Sequence, residues 1–137
     1  MFVAEGVRTV EERLRSPLGR VRGLGAAKEG VGHWWAQRIT AVALVPLTFW
    51  FVASIIGLIG ADHAAFVAWL RQPLNTILMT LLLAAGFHHL QLGLQVVIED
   101  YVHNEAARIA TIITVKFACA IVALGGIFAV LKIAFGG

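Results

Sequence analysis

The chain is poor in charged residues and has a single cysteine, and each shortage excludes a class of protein. Only 14% of its 137 residues are charged and 59% are hydrophobic, so polar side chains cannot cover the surface that a typical soluble domain exposes. The one cysteine, Cys119, excludes a disulfide within the chain. The sequence also contains no P-loop, dinucleotide-binding fingerprint or nucleophile elbow, so it stays open whether the chain is an enzyme on its own.

Charge is almost absent from three long stretches, which are candidate transmembrane helices. Residues 39–60 and residues 74–98 contain no Lys, Arg, Asp or Glu, and residues 109–135 contain only Lys116 and Lys132. A helix needs about 20 apolar residues to span a bilayer. We therefore predict an all-α membrane protein with three transmembrane helices. Residues 33–137 would form the membrane domain, and residues 1–32, interrupted by Pro17 and several glycines, would form a tail.

The basic residues are concentrated before the first predicted span. Seven of the eleven precede or open that span, and the two connections between spans carry few. The positive-inside rule then places the N-terminus in the cytoplasm and the C-terminus in the periplasm. Nucleic acid is not an expected partner, because acidic residues are interleaved with the basic ones at Glu5, Glu11, Glu12 and Glu29.

Two adjacent histidines, His88 and His89, lie deep in the second predicted span. An imidazole in hydrocarbon is costly, so it indicates a functional site by default. Gly86 and Gly93, about one turn on either side of His89, leave room for a large flat ligand such as haem, whose iron accepts a neutral imidazole nitrogen. His88 points about 100° away, so a second ligand would come from another subunit. The alternative is a histidine that only hydrogen-bonds to a neighbouring helix.

An acid and a phenol follow at the cytoplasmic end of the same span. Asp100 lies eleven residues after His89, which is about three turns or 16 Å along a helix, and Tyr101 is next to it. Arg38 opens the first span and could pair with a haem propionate. Asp100 and Tyr101 equally suit a charged helix end and an aromatic at the membrane interface.

These residues together resemble a known family. The pattern His89-x3-Gly93-x6-Asp100-Tyr101, preceded by Arg38 at the first of three spans, is similar to the smaller hydrophobic anchor subunit of succinate dehydrogenase in proteobacteria and mitochondria. Residues 16–25 (SPLGRVRGLG) and 33–38 (HWWAQR) look particularly like the alphaproteobacterial form. The resemblance covers residues 16 to about 108, and the third span matches only in hydrophobicity and position.

The resemblance implies a function and a set of partners. In that family the anchor forms a helical bundle with a second, C-type anchor in the bacterial inner membrane, and one histidine from each anchor ligates a single haem b. A flavoprotein and an iron–sulfur subunit dock on the cytoplasmic side, and electrons from succinate reduce ubiquinone in a pocket that both anchors share with the iron–sulfur subunit.

The same resemblance implies roles for individual residues. It matches His89 to the iron ligand, Arg38 to the arginine near the haem propionates, Tyr101 to the tyrosine that hydrogen-bonds a quinone carbonyl and Asp100 to the acid beside it. His88 has no counterpart. The alternatives are a structural or assembly subunit without a redox role and the anchor of a fumarate reductase. A small transporter is disfavoured, because no acidic residue lies mid-span and no inverted repeat is found.

Overall fold

All regular structure in the described part of the chain is helical. The computed structural model describes residues 17–21 and 30–136, and most of the predicted tail, residues 1–32, lies outside them. The helices are α1 (Pro17–Val21), α2 (Gly30–Gly57), α3 (His63–Leu70), α4 (Pro73–Tyr101) and α5 (Glu105–Ala134). No strand occurs among the described residues. The predicted all-α class is therefore confirmed.

Three of the helices are long and apolar enough to cross a membrane. Helices α2, α4 and α5 have 28, 29 and 30 residues, and each contains a long apolar stretch with few charged residues. At 1.5 Å per residue each is more than 40 Å long (~42–45 Å), which exceeds the hydrocarbon thickness of about 30 Å. Helix α2 continues through Pro46. The prediction of three transmembrane helices is confirmed.

The chain divides into two compact units, residues 1–34 and 35–137. The described part of the first unit comprises α1 and the start of α2. In the second unit α4 and α5 pack along each other, and α3 contacts both. The remainder of α2 also packs on α4, through the residues that surround His89. This last contact positions the site described below.

The short helix α3 lies in the connection between the first two spans. Asp62 caps its N-terminus by accepting a hydrogen bond from the backbone N–H of Ala65 at 2.8 Å. Two buried side chains of α4 satisfy its last carbonyls: Asn75 Nδ2 donates to the Trp69 carbonyl at 2.8 Å, and Thr76 Oγ1 donates to the next carbonyl at 2.6 Å. The ring of Trp69 stacks on Trp50 of α2, with centroids 5.8 Å apart. The connection is therefore an ordered corner of the fold.

The described residues bury very little apolar surface. Long side chains on all three spans are exposed, for example Phe49 at 75% and Phe128 at 69%. Such a continuous apolar surface is suited to lipid or to other subunits. The buried apolar residues are Leu47, Leu70, Leu92, Ile98 and Val130.

Candidate functional site

His89 lies where α4 meets α2, and each ring nitrogen has a neighbour on α2. Its Nδ1 lies 2.9 Å from Thr40 Oγ1, and its Nε2 lies 3.5 Å from Gln37 Nε2. The His89 side chain is half-buried, whereas His88 is exposed. The two adjacent histidines therefore have different environments, and it is His89 that lies in the contact between the helices.

The Thr40 hydroxyl determines which nitrogen of His89 carries the proton. Thr40 Oγ1 lies 2.7 Å from the carbonyl oxygen of Ala36 and 3.1 Å from that of Gln37. A carbonyl oxygen can only accept, so the single hydroxyl proton is directed to the backbone of α2. The hydroxyl oxygen is then the acceptor for Nδ1–H of His89. Of the two neutral tautomers, the contact with Thr40 therefore favours the one that carries its hydrogen on Nδ1 and a lone pair on Nε2.

An open apolar groove of about 460 Å³ lies beside this imidazole. His89 is the only residue of α4 that lines this groove. A neutral imidazole with a lone pair on Nε2, at the edge of an apolar groove, fits the requirement of haem iron for an axial nitrogen in an apolar site. The other lining residues all belong to α2: Ala41, Leu44, Val45, Thr48, Phe49 and Val52.

A metal site built from side chains alone is not found in the part of the chain that the structure describes. Within residues 17–21 and 30–136, no three His, Cys, Asp or Glu side chains come close enough to hold a metal ion together. Iron in a porphyrin needs only axial ligands from the protein. A single histidine on this chain is therefore compatible with haem.

The two glycines that flank His89 face α2. A Cβ atom on Gly86 would lie 3.9 Å from Leu44 Cδ2, and one on Gly93 would lie 3.7 Å from Gln37 Nε2. The sequence predicted that these glycines leave room for a flat ligand against α4. Side chains of α2 occupy that room instead, and the open groove lies along α2. Both distances are ordinary van der Waals contacts, so the two glycines mark where α4 faces α2 on either side of the imidazole.

The other predicted site residues lie at two levels of the structure. Arg38 is exposed and belongs to the same turn of α2 as Gln37 and Thr40, so it lies near the level of His89. Asp100 and Tyr101 end α4 and are exposed, Tyr101 by 78%. They are about 16 Å from His89 along the helix axis, and the described residues bring neither into contact with the imidazole.

Gln37 and Thr40 were not identified by sequence reasoning, although they contact His89. They lie three residues apart in α2, a spacing that places both on one helix face. Gln37 and Thr40 could have been indicated by their pattern, which is two polar side chains on one helix face at the start of an apolar span. The pattern does not reveal which helix that face contacts.

Comparison with known proteins identifies the family. Residues 12–123 match the family described as succinate dehydrogenase/fumarate reductase transmembrane subunit. A succinate dehydrogenase hydrophobic membrane anchor subunit of Rickettsia bellii is 34% identical over 102 residues, which cover 74% of this chain and 82% of that protein. The subunit of the same name from Paracoccus denitrificans is 30% identical over 124 residues, 90% of this chain and 95% of that protein.

A third relative matches over a shorter stretch of the chain. The succinate dehydrogenase membrane anchor subunit of Reclinomonas americana is 30% identical over 92 residues, 65% of this chain and 77% of that protein. The family match extends over all of α2 and α4 and into α5, so it includes every predicted site residue. The chain belongs to the family of succinate dehydrogenase hydrophobic membrane anchor subunits.

Proposed function

We propose that this chain anchors a succinate:ubiquinone oxidoreductase in the bacterial inner membrane and supplies one axial ligand of a haem b. His89 would bind the haem iron through Nε2, and a histidine of a C-type anchor subunit would supply the other protein ligand. One observation carries the proposal: Thr40 Oγ1 lies 2.9 Å from Nδ1 of His89, and the same imidazole borders an apolar groove. A ligating histidine whose other nitrogen donates a hydrogen bond is the usual arrangement in metal sites.

The partners follow from what the chain lacks and what it exposes. The sequence has no motif for a flavin or an iron–sulfur cluster, so succinate oxidation belongs to a flavoprotein and an iron–sulfur subunit on the cytoplasmic side. The apolar side chains exposed along α2, α4 and α5 would be shared between lipid and the second anchor, which completes the helical bundle. The N-terminus is cytoplasmic and the C-terminus periplasmic.

Two residues of α2 and α4 would hold the cofactor. His89 binds through Nε2, and Arg38, near the same level on α2, pairs with a propionate, since a guanidinium and a carboxylate form a strong charge-assisted contact. Haem b, when bound, supplies a one-electron redox centre within the membrane. The groove beside the imidazole is lined mostly by apolar side chains of α2.

Tyr101 and Asp100 would serve the quinone at the cytoplasmic end of α4. Reduction of ubiquinone requires two electrons and two protons at a headgroup that sits near the membrane surface. The phenol O–H of Tyr101 donates a hydrogen bond to the carbonyl oxygen that gains negative charge. The adjacent Asp100 carboxylate tunes that donor and passes protons from the cytoplasm. The exposure of both residues at the end of α4 is compatible with a pocket that other subunits complete.

Two alternatives each have an observation in their favour. Both ring nitrogens of His89 already contact α2, which is what a histidine that only packs helices would do, in a structural or assembly subunit without a redox role. The family description also includes fumarate reductase subunits, so the anchor of a fumarate reductase is the other candidate.

The absorption spectrum of the purified complex tests the haem assignment. We expect a b-type haem spectrum in the wild-type complex. In His89→Ala the intensity of that spectrum should fall by about tenfold or more, the usual cost of altering a metal site. His88→Ala is the matched control, because His88 is the adjacent residue and is exposed. It should keep the spectrum, and the subunit content of each complex shows whether assembly is intact. A full spectrum in an assembled His89→Ala complex would leave His89 with a packing role only.

A further inference from the structure

The two contacts of the His89 ring are unequal in strength. The Nδ1···Thr40 Oγ1 distance of 2.9 Å lies within the normal hydrogen-bond range, whereas the Nε2···Gln37 Nε2 distance of 3.5 Å lies beyond it. The Gln37 side-chain oxygen is also buried and has no hydrogen-bond partner among the described residues. The Gln37 amide therefore makes a weak contact with Nε2 of His89, and the Thr40 hydroxyl makes a stronger hydrogen bond with Nδ1.

The Thr40 hydroxyl is fixed by the helix that carries it. Its proton is committed to the backbone carbonyl of Ala36 at 2.7 Å, and its branched Cβ restricts rotation about χ1. The acceptor therefore has a fixed position on α2, and a hydrogen bond in a half-buried, low-dielectric contact is strong. The imidazole of His89 is thereby oriented relative to the groove that α2 lines.

We infer that Thr40 is a positioning residue for His89. Its hydroxyl oxygen holds Nδ1–H of the imidazole and so keeps Nε2 as the ligating nitrogen, an inference that rests on the proposed haem ligation by His89. A ligand that binds Nε2 displaces the weakly held Gln37 amide and leaves the Thr40 contact intact. The retained hydrogen bond makes the imidazole a stronger electron donor, which stabilises ferric over ferrous haem.

Substitution of Thr40 in the complete complex tests this inference. Thr40→Val keeps the shape of the side chain and removes the acceptor, and Thr40→Ser keeps the hydroxyl. The matched control is Thr111→Val, because Thr111 on α5 makes the same bond to its own helix, to the Ala107 carbonyl at 2.7 Å. The measurements are haem content per complex, the haem reduction potential and the electron paramagnetic resonance g-values of ferric haem.

We expect Thr40→Val to weaken the binding of His89 to ferric haem, relative to ferrous haem, by about tenfold. This is the lower end of the usual effect of removing a hydrogen-bond partner of a ligating histidine. A tenfold change corresponds to about 59 mV for a one-electron couple, so the potential rises by about that amount and the g-values shift. Thr40→Ser and Thr111→Val should keep the wild-type values. If Thr40→Val does not assemble, Thr40→Ala removes the same acceptor and should show the same shift.

The outcomes separate this inference from the proposed function. If His89→Ala loses haem while Thr40→Val, or Thr40→Ala in its place, keeps the wild-type potential and g-values, Thr40 does not position the imidazole, and the haem assignment stands. If Thr40→Ser shifts as far as Thr40→Val, the hydroxyl is not the relevant group and the inference is wrong. If His89→Ala keeps its haem, the proposed function fails and this inference fails with it.

Discussion

At the scale of single residues, polar groups inside apolar helices carry the greatest free-energy cost. An unpaired imidazole within a bilayer is expensive, and the structure pairs His89 with Thr40 at 2.9 Å. Thr40 can serve because its own proton is used by the backbone of α2. His88 has no such arrangement and is exposed. One residue of sequence separation therefore distinguishes an imidazole that contacts a second helix from one that is exposed.

Tyr101 allows a prediction at the same scale. Tyr101→Phe keeps the ring and removes only the O–H that would stabilise the reduced quinone carbonyl. We expect ubiquinone reduction to slow by about 100-fold, the usual cost of removing one such donor, and the haem spectrum to stay unchanged. Succinate oxidation with a soluble artificial electron acceptor is the control, since it bypasses the anchor. Normal ubiquinone turnover in the variant would reduce Tyr101 to an interfacial aromatic.

At the scale of helices, one glycine of an adjacent pair on α5 lies close to α4. A Cβ atom on Gly126 would lie 3.3 Å from Leu83 Cδ1, whereas one on Gly125 would meet no atom within 4 Å. The sequence indicates only that Gly125 and Gly126 permit close helix approach. The structure shows that Gly126 is the residue that faces α4.

The glycine pair gives a matched test of this packing. Gly126→Leu places a large side chain against Leu83 and should destabilise the α4–α5 contact by about 1–3 kcal/mol, the usual cost of overpacking. Gly125→Leu adds the same side chain where the chain itself leaves open space and should have a smaller effect. Thermal unfolding of the purified complex in detergent measures both. Equal loss of stability would show that side-chain bulk at Gly126 is not what limits the helix approach.

At the scale of the whole molecule, the described residues form spans that do not bury themselves. In the most apolar stretch of each span, at most 6% of the residues are buried. Large apolar side chains are exposed along α2, α4 and α5. In a membrane, helix association depends on packing and hydrogen bonds, since lipid is as apolar as the side chains. The subunit is therefore built to be completed by lipid and partners.

The orientation of the chain in the membrane can be tested at this scale. Three spans would place the termini on opposite sides, and from the excess of basic residues before α2 the positive-inside rule predicts a cytoplasmic N-terminus. Alkaline phosphatase fused after the last residue should be active, and a fluorescent protein fused there should be dark. The same fluorescent protein at the N-terminus should be bright. The reverse result would place Asp100 and Tyr101 on the periplasmic side and contradict their proposed role at the quinone.

The sequence alone determined the properties that are local to one segment. Hydrophobicity and length predicted three spans, and helical periodicity placed His89 deep in the second span, three turns before Asp100 and Tyr101. Only the tertiary structure decided that Thr40 and Gln37 meet His89, that Gly86 and Gly93 face α2, and that Gly126 rather than Gly125 faces α4. The physical reason is that transmembrane helices are apolar all round, so no amphipathic face indicates how each is rotated or which neighbour it contacts.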